Sequence, residues 1–296
     1  MLGLLLLNKP EGITSFGAVA RIKRLTGEKR VGHTGTLDPM ATGVLPIFIG
    51  RATVLSQYLI DADKSYSATV KLGITTDTCD IMGNVISEGN VQVGQSDIEG
   101  VLKGFVGKQM QTPPMFSAIK QNGVRMYELA RRGESVEIPA REIEVFSLLQ
   151  TSPINDEFEF DIETTVSKGT YIRSLCRDIG EALGCGATLT RLTRTKTAGF
   201  GIEKCVNLDI LTSDNINDYI LPCDLAIEYM PQITVSQKQA VRFCNGGELS
   251  LDRVKVSGIY DGKIYRVYFD ERFLGLGFVD ISNNSLKIQC LVDRQV

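Results

Sequence analysis

Three observations on the 296-residue chain predict an α+β fold. Short apolar or alternating runs recur along it, as strands require. Between them stand capped segments in which apolar residues return every three or four positions, as helices require. After about Pro231 the texture changes to a compact, strand-rich stretch.

The elements follow in order. Leu4–Leu7 reads as a short buried strand, because the apolar run of MLGLLLLNKP stops at Leu7 and Lys9-Pro10 follow at once. That run is too short for a signal-peptide core or a membrane span. Thr14 or Ser15 caps a helix with Phe16, Val19, Ile22 and Leu25 on one side, ending at Gly27. Residues 32–43 are rich in Gly, Thr and Pro, which is loop chemistry. Val44–Ile49 is a buried strand, and over 65–72 Tyr66, Ala68, Val70 and Leu72 alternate onto one face of another. Ser96-Asp97-Ile98-Glu99 forms a capping box that opens a helix to Phe105. Asn122-Gly123 marks a turn between a strand, Phe116–Lys120, and a helix around Tyr127–Arg132. Strands are expected near 142–149 and 157–166, then a helix from Tyr171 to Leu183 stopped by Gly184. A short helix, Ser236–Phe243, leads into an alternating stretch with an Asp261-Gly262 turn. The change of texture places a domain boundary near 228–231 and divides the chain into 1–229 and 230–296.

Composition narrows the function. Seven cysteines with no CxxC pair argue against disulfides and against a cysteine zinc site. A single His argues against most metalloenzymes, whose sites draw on two or more imidazoles. A soluble cytoplasmic protein is expected. The net charge of −3 taken whole opposes a nucleic-acid partner, but its distribution does not. Residues 61–99 hold seven acids and two bases, and 134–163 hold nine acids and one base. Against these, 21–33 carries five bases and one acid, 115–133 four and one, and 168–204 seven and three. If the three basic segments converge they form a positive groove, and phosphate binding needs such local charge rather than a basic whole protein.

The segment Gly32-His33-Thr34-Gly35-Thr36-Leu37-Asp38-Pro39-Met40-Ala41-Thr42-Gly43 is the most informative. It holds the only His and a carboxylate five residues on, between glycines that let backbone approach a ligand. No Gly-Lys-Ser/Thr closes it as a phosphate loop, and no Gly-x-Ser-x-Gly elbow marks a serine hydrolase. Taken alone, His33 also fits a structural imidazole and Asp38-Pro39 a turn.

The segment does not stand alone. It resembles the catalytic motif of the TruB family, the tRNA pseudouridine-55 synthases. The resemblance extends to Asn8-Lys9-Pro10-x-Gly12-x-Thr14-Ser15, to Lys64-x-Tyr66, and to Phe116-Ser117-Ala118-x-Lys120-x-Asn122-Gly123 before Tyr127-x-Leu129-Ala130-Arg131. It continues through Gly169-Thr170-Tyr171-Ile172-Arg173-Ser174-Leu175, in the same order to about residue 210.

The resemblance implies a mixed central sheet flanked by helices, the pseudouridine synthase fold, with a small β-rich C-terminal unit similar to a PUA-type RNA-binding domain. It implies isomerisation of a uridine in the T arm of tRNA by a monomer, without metal or cofactor. Asp38 takes the place of the nucleophile, held ionised by Arg173, while Tyr171 contacts the base. Tyr66 stacks on a flipped-out uracil, His33 fills space vacated in the RNA, and Leu192 lines the pocket. Lys9, Lys64, Arg131 and Arg194 are candidates for phosphate contacts, which position RNA without reading its sequence. The family usually has Leu-Arg-Arg where this chain has Leu192-Thr193-Arg194, so one charge is missing. The alternative on the same scaffold is a non-catalytic RNA-binding or RNA-folding protein. The full set of Asp38, Tyr66, Tyr171 and Arg173 argues against it.

Overall fold

Four consecutive leucines in the middle of strand β1 (Gly3–Lys9) set the layering of the molecule. All are buried, which for a strand means that both faces are covered. Leu5 and Leu7 point into one core, Leu4 and Leu6 into another. The computed structural model describes residues 1–117, 120–121, 124–126, 138–254 and 260–294.

The ten-stranded sheet around β1 also contains β2 (Val31–His33), β3 (Thr42–Ile49), β4 (Lys64–Leu72) and β5 (Gly107–Gln111). It is completed by β6 (Arg141–Gln150), β7 (Glu159–Val166), β8 (Ala187–Thr197), the pair Phe200–Gly201 and β9 (Val206–Asn207). Its order is β9-β1-β3-β8-β4-β7-β6-β5, with β2 added beside β3 and Phe200–Gly201 beside β8. The β1–β9 and β3–β8 pairs are parallel and the rest antiparallel, so the sheet is mixed as expected.

Three helices, α1 (Ser15–Thr26), α2 (Gln95–Gly104) and α3 (Ile172–Ala182), pack in the core shared with Leu5 and Leu7. The other core joins Leu4, Leu6, Phe48 and Leu55 to Ile227, to Leu276 of the C-terminal sheet and to Val292 just past its last strand. That second sheet has five strands, Gln232–Thr234, Leu249–Ser250, Ile264–Phe269, Arg272–Asp280 and Ser285–Leu291. Helix α4 (Gln237–Cys244) closes its separate core through Ala240 and Phe243.

Several local expectations need correction. Phe16 is 73% exposed. The buried stripe of α1 is Ser15, Ala18, Val19 and Ile22, and Phe16 lies about 100° round the helix from Ser15. Helix α2 is capped at Gly94, whose N–H donates to Asp97 Oδ2 (2.9 Å), because the residue three positions on is Asp97 and not Glu99. Phe116 and Ser117 lie in a bend, and Lys120–Gln121 pairs with Val124–Arg125 as a hairpin where a strand-to-helix turn was expected. Asn122, Gly123 and the expected helix over 127–132 lie outside the described residues. Strand β8 is unexpected from its sequence, ATLTRLTRTKT, in which Thr and Arg outnumber apolar residues.

At Gly43 the close packing of β8 leaves no room for a side chain. Its φ is +103°, and a Cβ would sit 2.2 Å from the Arg194 carbonyl oxygen across the parallel β3–β8 pair. Gly43→Ala is expected to cost about 2–4 kcal/mol in urea unfolding, through strain and clash together. A loss below about 0.5 kcal/mol, the size of an ordinary surface change, would contradict this close approach.

Candidate active site

Residues 34–41 connect β2 to β3 and carry Asp38 at their centre. Leu37, Met40 and Ala41 are buried and anchor the loop from within, while Asp38 is half-exposed. Three flanking side chains fix its backbone. Ser15 Oγ accepts from the Leu37 N–H (2.8 Å) and donates to the Leu37 carbonyl (3.0 Å). Lys9 Nζ donates to the carbonyls of Pro10 and Ile13 (2.8 Å each) and to that of Pro39 (3.3 Å). Arg194 Nε donates to the Val44 carbonyl (2.7 Å) and Nη2 to that of Gly35 (3.0 Å).

These contacts revise two expectations. Lys9 is 0% exposed and Arg194 only 1%, and both spend their N–H groups on backbone carbonyls. Neither is free to meet a phosphate; both brace the loop. Lys64 is half-buried and donates to the carbonyls of Ile60 (3.2 Å) and Ala62 (2.6 Å). Burial lowers the amines of Lys9 and Lys64 to about 8, and Arg194 acts in the same direction on each. Thr193, where a charge was noted as missing, shares a hydroxyl contact with Thr42 (2.8 Å) across the β3–β8 pair. Arg131 lies outside the described residues.

The reactive carboxylate meets its partner from α3. Arg173 is 4% exposed, and its Nε lies 2.9 Å from Asp38 Oδ2. The Nε–H is not aimed along that line, so the contact is a charge pairing rather than a linear hydrogen bond. The guanidinium is oriented by the carbonyls of Thr78 (Nη1, 3.0 Å) and Phe116 (Nη2, 2.9 Å). A second carboxylate, Asp80, stands 3.6 Å from Nη1. Asp80 is itself buried and accepts from Thr78 Oγ1 (2.7 Å) and the Met82 N–H (3.1 Å).

Asp80 is the site residue that sequence reasoning missed, because it sits in the acidic stretch 61–99 and no motif sets it apart. The expected low pKa of Asp38 is also corrected. Burial pushes its carboxyl above the ordinary value of 3.8; Arg173 opposes the shift and Asp80 adds to it.

Tyr66 and Leu192 come from adjacent strands. Tyr66 pairs with Arg194 in the β4–β8 ladder, and Leu192 pairs with Ala68. Burial raises the Tyr66 phenol, and the neighbouring Arg194 guanidinium works against that rise. His33, at the end of β2, is lowered by burial and then by Arg194, and its buried Nδ1 has no partner among the described residues. A neutral imidazole at pH 7 follows. Tyr171 caps α3, two residues before Arg173.

A model described as the TruB family pseudouridylate synthase N-terminal domain matches residues 23–172. A second, the tRNA pseudouridylate synthase B C-terminal domain, matches 173–228. The chain belongs to the TruB family. It is 43% identical over 277 residues to tRNA pseudouridine synthase B of Clostridium kluyveri, covering 93% of this chain and 94% of that one. It is 44% identical over 293 residues to the protein of that name from Clostridium novyi, covering 99% and 100%. Among solved structures it resembles a chain of a Cbf5-Nop10-Gar1 complex, with a TM-score of 0.73 and 26% identity. That likeness covers 99% of this chain and 85% of the other. The activity of this TruB family member is tRNA pseudouridylation, the isomerisation of uridine to pseudouridine. Among the described residues no helix is long and apolar enough to cross a membrane.

Because the carboxylate is the ionised species needed for attack, a raised pKa moves the loss of activity on acidification to higher pH. Asp80→Asn keeps the hydrogen-bonding shape but removes a charge that raises Asp38. The acid limb of kcat/KM is expected to shift to lower pH in this variant. A shift to higher pH would contradict the electrostatic roles assigned to the pair.

Proposed function

We propose that this enzyme isomerises uridine 55 in the T loop of tRNA, with Asp38 as the nucleophile on a flipped-out uridine. In the reaction C1′ exchanges its bond to N1 for a bond to C5, and the C5 proton is replaced by one on N1. No electron is gained or lost and no water is consumed, so the chemistry asks for no metal or cofactor. The observation that carries the reading is the half-exposed Asp38 carboxylate set 2.9 Å from the buried Arg173 on a loop braced from three sides. A nucleophile must be ionised, and a fixed cation keeps it so while the approaching RNA excludes water.

Flipping costs a few kcal/mol of lost stacking, which a pocket must return. Tyr66 and Leu192 supply its walls, and Tyr171 contacts the uracil near C5, where its hydroxyl passes the departing proton on to solvent. His33, neutral and half-buried, meets the space the base has left. Lys64 and the exposed Arg191 of β8 meet phosphates. Residues 1–229 form the catalytic domain and 230–296 a PUA-like RNA-binding domain. The enzyme acts as a cytoplasmic monomer.

Asp38→Asn is expected to abolish tritium release from C5-labelled uridine in a T-arm transcript. Filter binding should stay within about tenfold, roughly 1.4 kcal/mol. Turnover by this variant would remove Asp38 from the chemistry. Arg173→Lys is expected to lower kcat more than binding, because a point charge replaces a planar fork. Equal losses in kcat and binding would show that Arg173 acts on the RNA alone.

A further inference from the structure

Tyr171 is gripped by two residues that face each other across neighbouring strands. Gln111 ends β5, Arg141 begins β6, and the two are directly paired in the antiparallel ladder. Gln111 is 2% exposed, and its carboxamide holds the Tyr171 backbone at both ends. Its Oε1 accepts from the Tyr171 N–H (2.8 Å) and its Nε2 donates to the Tyr171 carbonyl (3.1 Å). The orientation of the amide is fixed by its partners, since a backbone N–H can only donate and a carbonyl can only accept.

Arg141 takes the side chain. Its guanidinium carbon stands 4.8 Å from the centre of the Tyr171 ring, and its Nη2 donates to the Gly169 carbonyl. Gly169 presents that carbonyl from a left-handed backbone, φ +82°, which a residue with a side chain would adopt only under strain. Tyr171 has an extended backbone (φ −101°, ψ 114°) with no side-chain cap of its own at the start of α3. The ladder pair therefore holds the Tyr171 backbone through Gln111 and lines one side of its ring with Arg141.

We infer that Gln111 and Arg141 are positioning residues that aim the Tyr171 ring at the uracil, an inference that rests on the contact between Tyr171 and the base proposed above. The competing role is structural. Gln111 could simply hold the start of α3, and its loss would then act through Arg173 and Asp38 instead of Tyr171. A misplacement of about 1 Å at a reacting group can cost up to 100-fold in rate, so the two roles separate in kinetics.

The test is a double-mutant cycle on the full chain, read as single-turnover pseudouridine formation in a tRNA transcript. Gln111→Leu and Arg141→Met are each made alone and together with Tyr171→Phe. Each single variant is expected to slow turnover about 10- to 100-fold. Transcript affinity should stay within about threefold, because the loss falls in the transition state. Neither change should slow the enzyme further once Tyr171 is Phe. Arg141→Lys, which keeps the charge but not the planar guanidinium, should recover only part of the rate. Effects of Gln111→Leu and Tyr171→Phe that multiply would assign Gln111 to the helix start and overturn the inference. Should Gln111→Leu not fold, the Arg141→Met cycle at a half-buried position decides in the same way. A Tyr171→Phe enzyme with full activity would instead overturn the role of Tyr171 itself, and the positioning role with it.

Discussion

The arrangement of this site depends on one buried guanidinium. Arg173 lies in the first turn of α3, where the positive end of the helix dipole disfavours a cation. Two carboxylates and two backbone carbonyls surround it and offset that cost. Removing Arg173 would leave the buried Asp80 carboxylate without its counter-ion, at about 3–5 kcal/mol. The loop of Asp38, the turn of Asp80, the bend at Phe116 and helix α3 are therefore tied to a single point. Cys79 between the two Arg173 contacts at Thr78 and Asp80 even adopts φ +60°, a strained value for a residue with a side chain.

A second layer of buried cations keeps the Asp38 loop in place. Lys9 and Arg194 lie under it and bond to its carbonyls, while Ser15 locks Leu37 beside the carboxylate. Loops usually pay for conformational freedom with imprecision; here charged donors taken out of water leave the backbone few alternatives. Arg194 also depresses the imidazole of His33 and the amine of Lys64. The strand carrying Arg194 sits between β3 and β4 in the sheet, so the loop, Tyr66 and the bracing cation share one rigid support.

Much of the fold is legible in the sequence, for identifiable reasons. Leu4–Leu7 is a run too short to be anything but a doubly covered strand, and the alternation through Tyr66 to Leu72 matches β4. Gly27 and Gly184 stop their helices in the left-handed region, as their positions imply. Strand β8 is not legible, because its polar residues are satisfied by tertiary partners that local patterning cannot report. The same limit explains the site. Asp38 and Arg173 stand in motifs, and the structure brings them together. Asp80 and Gln111 act through contacts 93 and 60 positions away along the chain, which spacing cannot reveal. The exposed-phosphate reading of Lys9 and Arg194 fails for a related reason: charge in a sequence does not say which side of the surface it occupies.

The central claim is that Asp38 is a carboxylate raised by burial and restrained by Arg173. The most direct measurement is an NMR titration of the 13C-labelled Asp38 carboxyl in the free protein, with wild type beside Arg173→Met. The predicted result is a midpoint above 3.8 in the wild type and a higher one in the variant. A midpoint at or below 3.8 that does not move when the guanidinium is removed would contradict it.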